Sequence, residues 1–243
     1  MKGRIFLAGA SGVIGRRLGP LLIASHYEVF GTTRSKSKAD MLEAAGIKPV
    51  LVDVFDAPAL SLMMATVQPD VVVHQLTDLA IGRDPNFVTE AIRQNARIRR
   101  EGTANLVAAA LAVGARRLIA QSIAWAYAAG PQPFLESAPL DLNAEGSRAM
   151  SVQGVAELER LTLGAPPLAG AVLRYGQLYG PATGSEGPKG SAPVHVDAAA
   201  QAALLAIDRA VTGIFNIAED TGFVSIAKAR RELNWDPDFR IEK

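Results

Sequence analysis

The chain has 243 residues, 49% of them hydrophobic and 20% charged, enough for one large domain or a domain with a small appendage. Twenty-five Lys and Arg stand against twenty-four Asp and Glu, so no net field would draw nucleic acid or an anionic membrane surface. The absence of cysteine excludes disulfides, thiolate catalysis and cysteine-bound metal. No run of about 20 apolar residues offers a membrane span, and no basic leader precedes the first strand, so a cytoplasmic protein is expected.

In chain order, Ile5 to Ala8 form a short apolar run of the kind buried in a parallel sheet, and Gly9, Gly12 and Gly15 follow at three-residue intervals. An amphipathic stretch over residues 13–24 reads as the next helix. A strand that turns sharply into a helix leaves backbone N–H groups unpaired, and these suit a pyrophosphate together with the positive end of the helix dipole. In this loop Gly9 allows the tight turn, Gly12 lets phosphates approach the backbone, and Gly15 lets the helix pack on the strand; Ser11, Val13 and Ile14 lie between them. A second strand over residues 28–33 arrives at the expected distance, and dinucleotide binding is the expectation.

That second strand ends at Thr33-Arg34-Ser35, with Lys36 and Lys38 behind. An NAD-preferring site has a carboxylate near here for the adenosine ribose hydroxyls. Arg34 instead offers a planar fork to a ribose 2′-phosphate, so NADP is preferred over NAD; the plain alternative is a solvated basic loop.

Further on, residues 40–45 read as a short helix, 48–52 as strand three, 58–66 as a helix and 70–74 as strand four. Asp53, at the end of strand three, either accepts from the adenine amino group or caps the next helix. A long helical tract is expected from about residue 85 to 113, basic in its first half and alanine-rich in its second. Strand five follows over 116–120, a helix over 147–163 and strand six over 170–173. The Gly- and Pro-rich stretch 175–193 reads as loop. An alanine-rich helix to about residue 208, a seventh strand over 213–217 and a short helix over 225–234 complete the chain. The repeated strand–helix unit predicts an α/β fold, a Rossmann-like doubly wound parallel sheet of about seven strands. Residues 1–243 form a single domain, with a small substrate-side cap from about 176–193 and 218–243. His26, His74 and His195 lie on separate elements without metal-ligand spacing, and no metal is expected.

These residues resemble an extended short-chain dehydrogenase/reductase of the NAD-dependent epimerase/dehydratase family. The resemblance is carried by Gly9-Ala10-Ser11-Gly12-Val13-Ile14-Gly15, by Asp53-Val54 as an adenine contact, and by Val73-His74-Gln75-Leu76 lining the cofactor, with Thr77 next. Gly102-Thr103-Ala104-Asn105-Leu106, the segment from Leu173 to Pro181, His195-Val196-Asp197 and the segment from Ala229 to Pro237 extend it over nearly the whole chain.

The family implies a serine after strand five, then a tyrosine and a lysine four residues apart on the next helix. The tyrosine hydroxyl moves a proton to or from the substrate oxygen, and the lysine lowers its pKa and binds the nicotinamide ribose. Ser122 matches the serine, with Gln121 before it and Ile123 as the alternative. Aligned on Glu157, the tyrosine position is Ala149 and the lysine position Gln153, so the pair is missing, although Gln153 can still donate to a ribose. Asn95 stands eight residues before Thr103 where four is typical. Tyr127 and Tyr175, at carboxyl ends of strands, are candidates for proton transfer, and Tyr175 also for the cofactor wall; His195 is either an acid/base group or a helix-start residue.

Two functions are expected from this. One is an NAD(P)-dependent oxidoreductase or epimerase-like enzyme acting on a small polar carbonyl or hydroxyl substrate, including a sugar nucleotide. The other is a catalytically impaired NADP-binding sensor or scaffold. The resemblance also implies a homodimer through a four-helix contact made by residues 104–112 and 152–161.

Overall fold

The computed structural model describes residues 1–78 and 88–242. Seven parallel strands form one sheet in the order β3-β2-β1-β4-β5-β6-β9. They are β1 (Gly3–Ala8), β2 (Tyr27–Thr33), β3 (Lys48–Leu51), β4 (Val71–His74), β5 (Arg117–Ile123), β6 (Ala169–Tyr175) and β9 (Gly213–Ile217). The order reverses between β1 and β4, which pair in register from Ile5–Val71 to Ala8–His74. In such sheets a ligand binds outside the carboxyl ends of the strands where the order reverses. That point is the end of β1, where the glycine loop begins.

Helices cover both faces, because strands this apolar must be buried on both sides. On one face, α1 (Gly15–Ala24) packs with α7 (Val196–Asp208) over Ile5, Leu7, Val73, Ile119 and Leu173. On the other, α3 (Ala57–Val67) and α5 (Thr103–Ala112) cover Phe6, Val50, Val72 and Leu118. The alanines of α7 let its axis approach the sheet, and six of them, from Ala198 to Ala206, are fully buried.

α2 (Lys36–Ala44) begins four residues earlier than the sequence implies, with Ser35 in extended backbone at its start. The long tract becomes α4 (Val88–Arg97), a π-helical segment Ile98–Gly102 and α5, in continuous helical backbone. Its expected start at residue 85 lies outside the described residues. The π segment widens one turn and turns the side chains that follow it relative to those before.

α6 is Gly146–Leu163. The Gly- and Pro-rich stretch is not all loop. β7 (Gln177–Tyr179) pairs in parallel with β8 (Pro193–His195), a separate two-stranded sheet. The carboxyl-terminal segment carries a second π segment (Ala229–Leu233) and is strapped to α7. Trp235 Nε1 donates to the Ala198 carbonyl at 2.8 Å, and Ile241 N donates to Asp197 Oδ2 at 3.1 Å. This smaller region forms the cap beside the sheet. Among the described residues no helix is long and apolar enough to cross a membrane.

Candidate active site

A cleft of about 620 Å³ opens along the carboxyl ends of β1, β2, β3 and β4. Its floor is the glycine loop. Gly9 has φ +90°, and a Cβ there would lie 2.6 Å from the Gln75 carbonyl oxygen, so only glycine makes this turn. Gly12 N donates to the Gly9 carbonyl at 2.9 Å, and Gly9 N is met by Thr32 Oγ1 at 3.2 Å. At Gly15 a Cβ would lie 2.6 Å from the Ala10 carbonyl oxygen, so this glycine serves helix–strand contact and not the cleft.

Of the expected cofactor positions, Gly9, Ser11, Gly12, Val13, Thr33, Arg34, Ser35, Asp53, Val54, Gln75, Leu76 and Thr77 line the cleft. Ile14 is buried under α1 instead. Asp53 does not cap α3. Its Oδ1 accepts from Phe55 N at 3.0 Å, and Asp56 is the capping residue, accepting from Ala59 N at 3.0 Å. Asp53 Oδ2 is 3.7 Å from Arg34 Nη1, too long for a hydrogen bond, and the Arg34 side chain is 67% exposed. The sequence reading missed Arg16, Lys38, Phe55 and Gln94, which also line the cleft. Arg16 Nε donates to the Ser11 carbonyl at 3.1 Å, and Arg97 stacks 3.8 Å from the Phe55 ring centroid. A basic residue directly after the third glycine of the loop was the available signal for Arg16.

At the end of β4, His74 is fully buried and neutral. Burial, with the Arg99 charge as the lesser cause, lowers its pKa to about 4. Leu76 N donates to His74 Nδ1 at 3.2 Å, which places the ring proton on Nε2, 3.1 Å from Thr103 Oγ1. Gln75 Nε2 donates to the Tyr175 hydroxyl at 3.4 Å, while Gln75 Oε1 is buried at the cleft wall without a hydrogen-bond partner.

The expected catalytic hydroxyls do not face this cleft. Ser122 lies on the α6 side of β5 and donates to Glu159 Oε1 at 2.8 Å. Glu159 is held by Arg174, Nε to Oε1 at 2.8 Å and Nη2 to Oε2 at 2.7 Å, with both side chains no more than 7% exposed. Burial works against the Arg174 charge, but its bonds to Glu159 keep its pKa above the usual value. Tyr127 lies under the same guanidinium, 4.9 Å from its ring centroid, and donates to Asn216 Oδ1 at 2.6 Å. Burial raises the Tyr127 pKa even with Arg174 alongside. Tyr175 is 1% exposed, and burial raises its pKa as well. Neither phenol is suited to give or take a proton at neutral pH.

Three further expectations are corrected. Gln153 lies on the exposed face of α6, while Ser151, Val152, Val155 and Glu159 turn inward. Asn95 is used by the backbone: Oδ1 accepts from Asp78 N at 2.9 Å, and Nδ2 donates to the Ala91 carbonyl at 2.8 Å. Gln121, on the strand face opposite Ser122, is outside the cleft lining. His195 proves to be the helix-start residue, its Nδ1 accepting from Asp197 N at 3.2 Å at the beginning of α7. Among the described residues no three His, Asp or Glu side chains gather as a metal site would require.

The residues present fit a nicotinamide dinucleotide. The glycine loop forms a cradle that a Cβ at Gly9 would fill, and the cleft runs past two strand ends beyond it. An orphaned amide oxygen at Gln75 waits on its wall.

Comparison with known proteins agrees. Residues 5–203 match the NAD dependent epimerase/dehydratase family. The chain is 43% identical over 238 residues to the 3-diazoavenalumate denitrifying reductase of a Streptomyces species, covering 89% of this chain and 76% of that protein. WbmG of Bordetella bronchiseptica, solved with NAD, superposes with a TM-score of 0.74 at 18% identity, over 98% of this chain and 90% of that one. The UDP-glucose 4-epimerase of Thermotoga maritima, solved with UDP-glucose, gives 0.74 at 20% identity, over 98% and 94%. The chain belongs to the NAD dependent epimerase/dehydratase family and has its NAD-binding epimerase/oxidoreductase fold.

Proposed function

We propose that this protein is a reductase that delivers hydride from a reduced nicotinamide dinucleotide to a small polar aromatic substrate, in a reaction that takes no proton from the protein. One observation carries the reading. The dinucleotide cleft is intact, yet α6 holds neither tyrosine nor lysine, and the Ser122 and Tyr127 hydroxyls are bonded inward. A carbonyl oxygen needs a proton as hydride arrives at its carbon, whereas an arene diazonium does not. A C–H bond forms at the ring carbon, the C–N bond breaks, and its electron pair leaves with dinitrogen. Cation plus hydride gives a neutral arene, so charge and electrons balance. The relative at 43% identity is named for removing nitrogen from a diazo compound by reduction, which supports extending that substrate class to this chain.

The bound dinucleotide supplies the hydride. The chain's own residues bind and orient it. The amides of Ser11 and Val13, lying between those that Gly9 and Gly12 use within the protein, would hold the diphosphate. Ile123, Ala126, Val152 and Val155 form a buried apolar cluster where α6 meets the end of β5. NADPH is preferred over NADH, supported by the lack of a carboxylate at the end of β2 and by Arg34, Ser35 and Lys38 at that edge of the cleft.

The epimerase-like fold favours a second reading, a carbonyl or sugar-nucleotide substrate whose proton comes from water. NADPH oxidation with an aryl diazonium carboxylate, an aldehyde panel and a ketone panel, beside epimerisation of UDP-glucose with the oxidised dinucleotide, separates the two. Turnover confined to the diazonium supports the first reading, and turnover confined to carbonyls or UDP-glucose supports the second. Tight NADPH binding without turnover on any of them leaves the sensor alternative. The homodimer is also a proposal. Val152, Val155 and Leu158 face inward, so Gln153 and Arg160 of α6, with Ala104, Ala108 and Leu111 of α5, are the side chains left to make it. Light scattering at the mass of one chain would dispose of it. The cytoplasm is the compartment we propose for this reductase.

A further inference from the structure

Arg99 is the second residue of the π segment Ile98–Gly102, and it is partly buried where Arg93, Arg97 and Arg100 are exposed. Nη1 donates to the Ser151 carbonyl on α6 at 3.5 Å, the limit of a hydrogen bond. Its stem lies against α6 where that helix is thinnest, with Arg99 Cδ 3.5 Å from where a Cβ on Gly154 would sit. Among the described residues no carboxylate pairs with it, in contrast to Arg93, Arg97, Arg148, Arg160 and Arg174. The side chain keeps a narrow opening to solvent, while protein packs around the guanidinium closely enough to lower its pKa to about 10.

A guanidinium so enclosed, without a counter-charge among the described residues, is costly until an anion arrives. Arg99 is not itself in the lining of the cleft but stands beside it: Ile98 before it, and Gln75 next to His74, both line the cleft. The adenosine end lies at Arg34, Asp53 and Phe55, and the diphosphate lies over the loop at Gly9. A dinucleotide extended from there reaches its reactive end over β4 and β5, beside α6. Arg99 stands at that end, near His74 on one side and Ser151 on the other. Backbone amides of the glycine loop serve the diphosphate and Arg34 the adenosine end, so the anion left for Arg99 is the substrate's.

We propose that Arg99 binds the carboxylate of an aromatic acid at the reactive end of the cleft, supplying from the π segment the positive charge that the missing lysine of α6 would have given. The planar fork matches a carboxylate through two parallel N–H···O bonds. This inference rests on the reductase reading for its substrate class, and its test does not depend on turnover.

The test titrates cinnamate and its uncharged amide, cinnamamide, into the NADP⁺-saturated protein by calorimetry, with the same titrations on the nucleotide-free chain. Wild type is expected to favour cinnamate by about tenfold or more. Arg99→Gln loses that preference while keeping its NADP⁺ affinity, Arg99→Lys keeps part of it, and Arg100→Gln, an exposed change on the same turn, keeps all of it. A cinnamate preference that survives in Arg99→Gln overturns the proposal, as does a wild type that binds acid and amide alike. Weakened NADP⁺ binding in Arg99→Gln with the preference intact also overturns it, by making Arg99 a cofactor ligand. Failure of wild type to bind NADP⁺ strikes the reductase reading instead, and the nucleotide-free titrations then decide the carboxylate.

Discussion

Ser122 and Glu159 are joined by a 2.8 Å hydrogen bond inside the protein, and this bond turns a residue at the expected catalytic position into part of a buried ion-pair network with Arg174. Ser122→Ala is therefore expected to cost about 1.5–3 kcal/mol of stability, the range for a hydrogen bond to a charged group. It should leave dinucleotide affinity and kcat/KM within about twofold. Urea unfolding beside steady-state kinetics checks both halves. A large loss of activity at unchanged stability would return Ser122 to the chemistry.

Glu159→Gln breaks the same network at its charge and leaves Arg174 buried without a counter-ion. The expected loss is about 3–5 kcal/mol. Denaturant midpoints measure it, and Arg174→Met with Glu159→Gln should recover part of the loss in the double variant.

The sequence carried the sheet because its information is local. Apolar runs, glycine at Gly9 and the spacing to Thr33 set strands and turns within a few residues of one another. Cleft residues that follow a strand end, such as Gly9, Arg34, Asp53 and Gln75, were legible for the same reason, whereas Arg16, Lys38 and Phe55 were not. The sides taken by Ser122, Tyr127 and Gln153 were not legible. Ser122 meets Glu159 from 37 positions away and Tyr127 meets Asn216 from 89, and no local pattern encodes such partners. The π segment at Ile98–Gly102 was hidden too. It alters the facing of Asn95 and Arg99 without interrupting the helical pattern.

Gly12 tests the cradle without the backbone strain of Gly9. Its φ is ordinary, and a Cβ would meet only the Gly9 carbonyl oxygen, at 3.1 Å. Gly12→Ala should weaken NADPH and NADH alike by about tenfold or more, by filling the approach to the phosphates. Its unfolding midpoint should fall by only roughly 2–4 °C, the effect of about 1 kcal/mol. Equal affinity in wild type and variant, by fluorescence titration, would remove the diphosphate from this loop.

Arg34 decides the nucleotide preference. Arg34→Ala should raise the Kd for NADPH by about tenfold and change that for NADH by less than about twofold, because only the 2′-phosphate loses a partner. Parallel loss for both nucleotides would show that Arg34 acts through the loop and not through the phosphate.

His74 sets a pH dependence. Its folded pKa of about 4 lies below the ordinary histidine value of 6.5, so the unfolded chain takes up a proton first as pH falls. Stability is lost between about pH 6.5 and 4, with a His74 share of about 3 kcal/mol. His74→Asn can keep the acceptor for Leu76 N and should flatten the fall of unfolding free energy over that window. A wild-type slope in the variant would assign the dependence to other groups.

The most direct test uses NADPH carrying deuterium at the transferable position of the nicotinamide, with an aryl diazonium carboxylate as substrate. The account predicts one dinitrogen released per NADPH oxidised and deuterium on the ring carbon that carried nitrogen, with the rate at limiting NADPH lowered about tenfold in Gly12→Ala. Arene hydrogen drawn from solvent, or NADPH oxidation that appears only with carbonyl substrates, would contradict it.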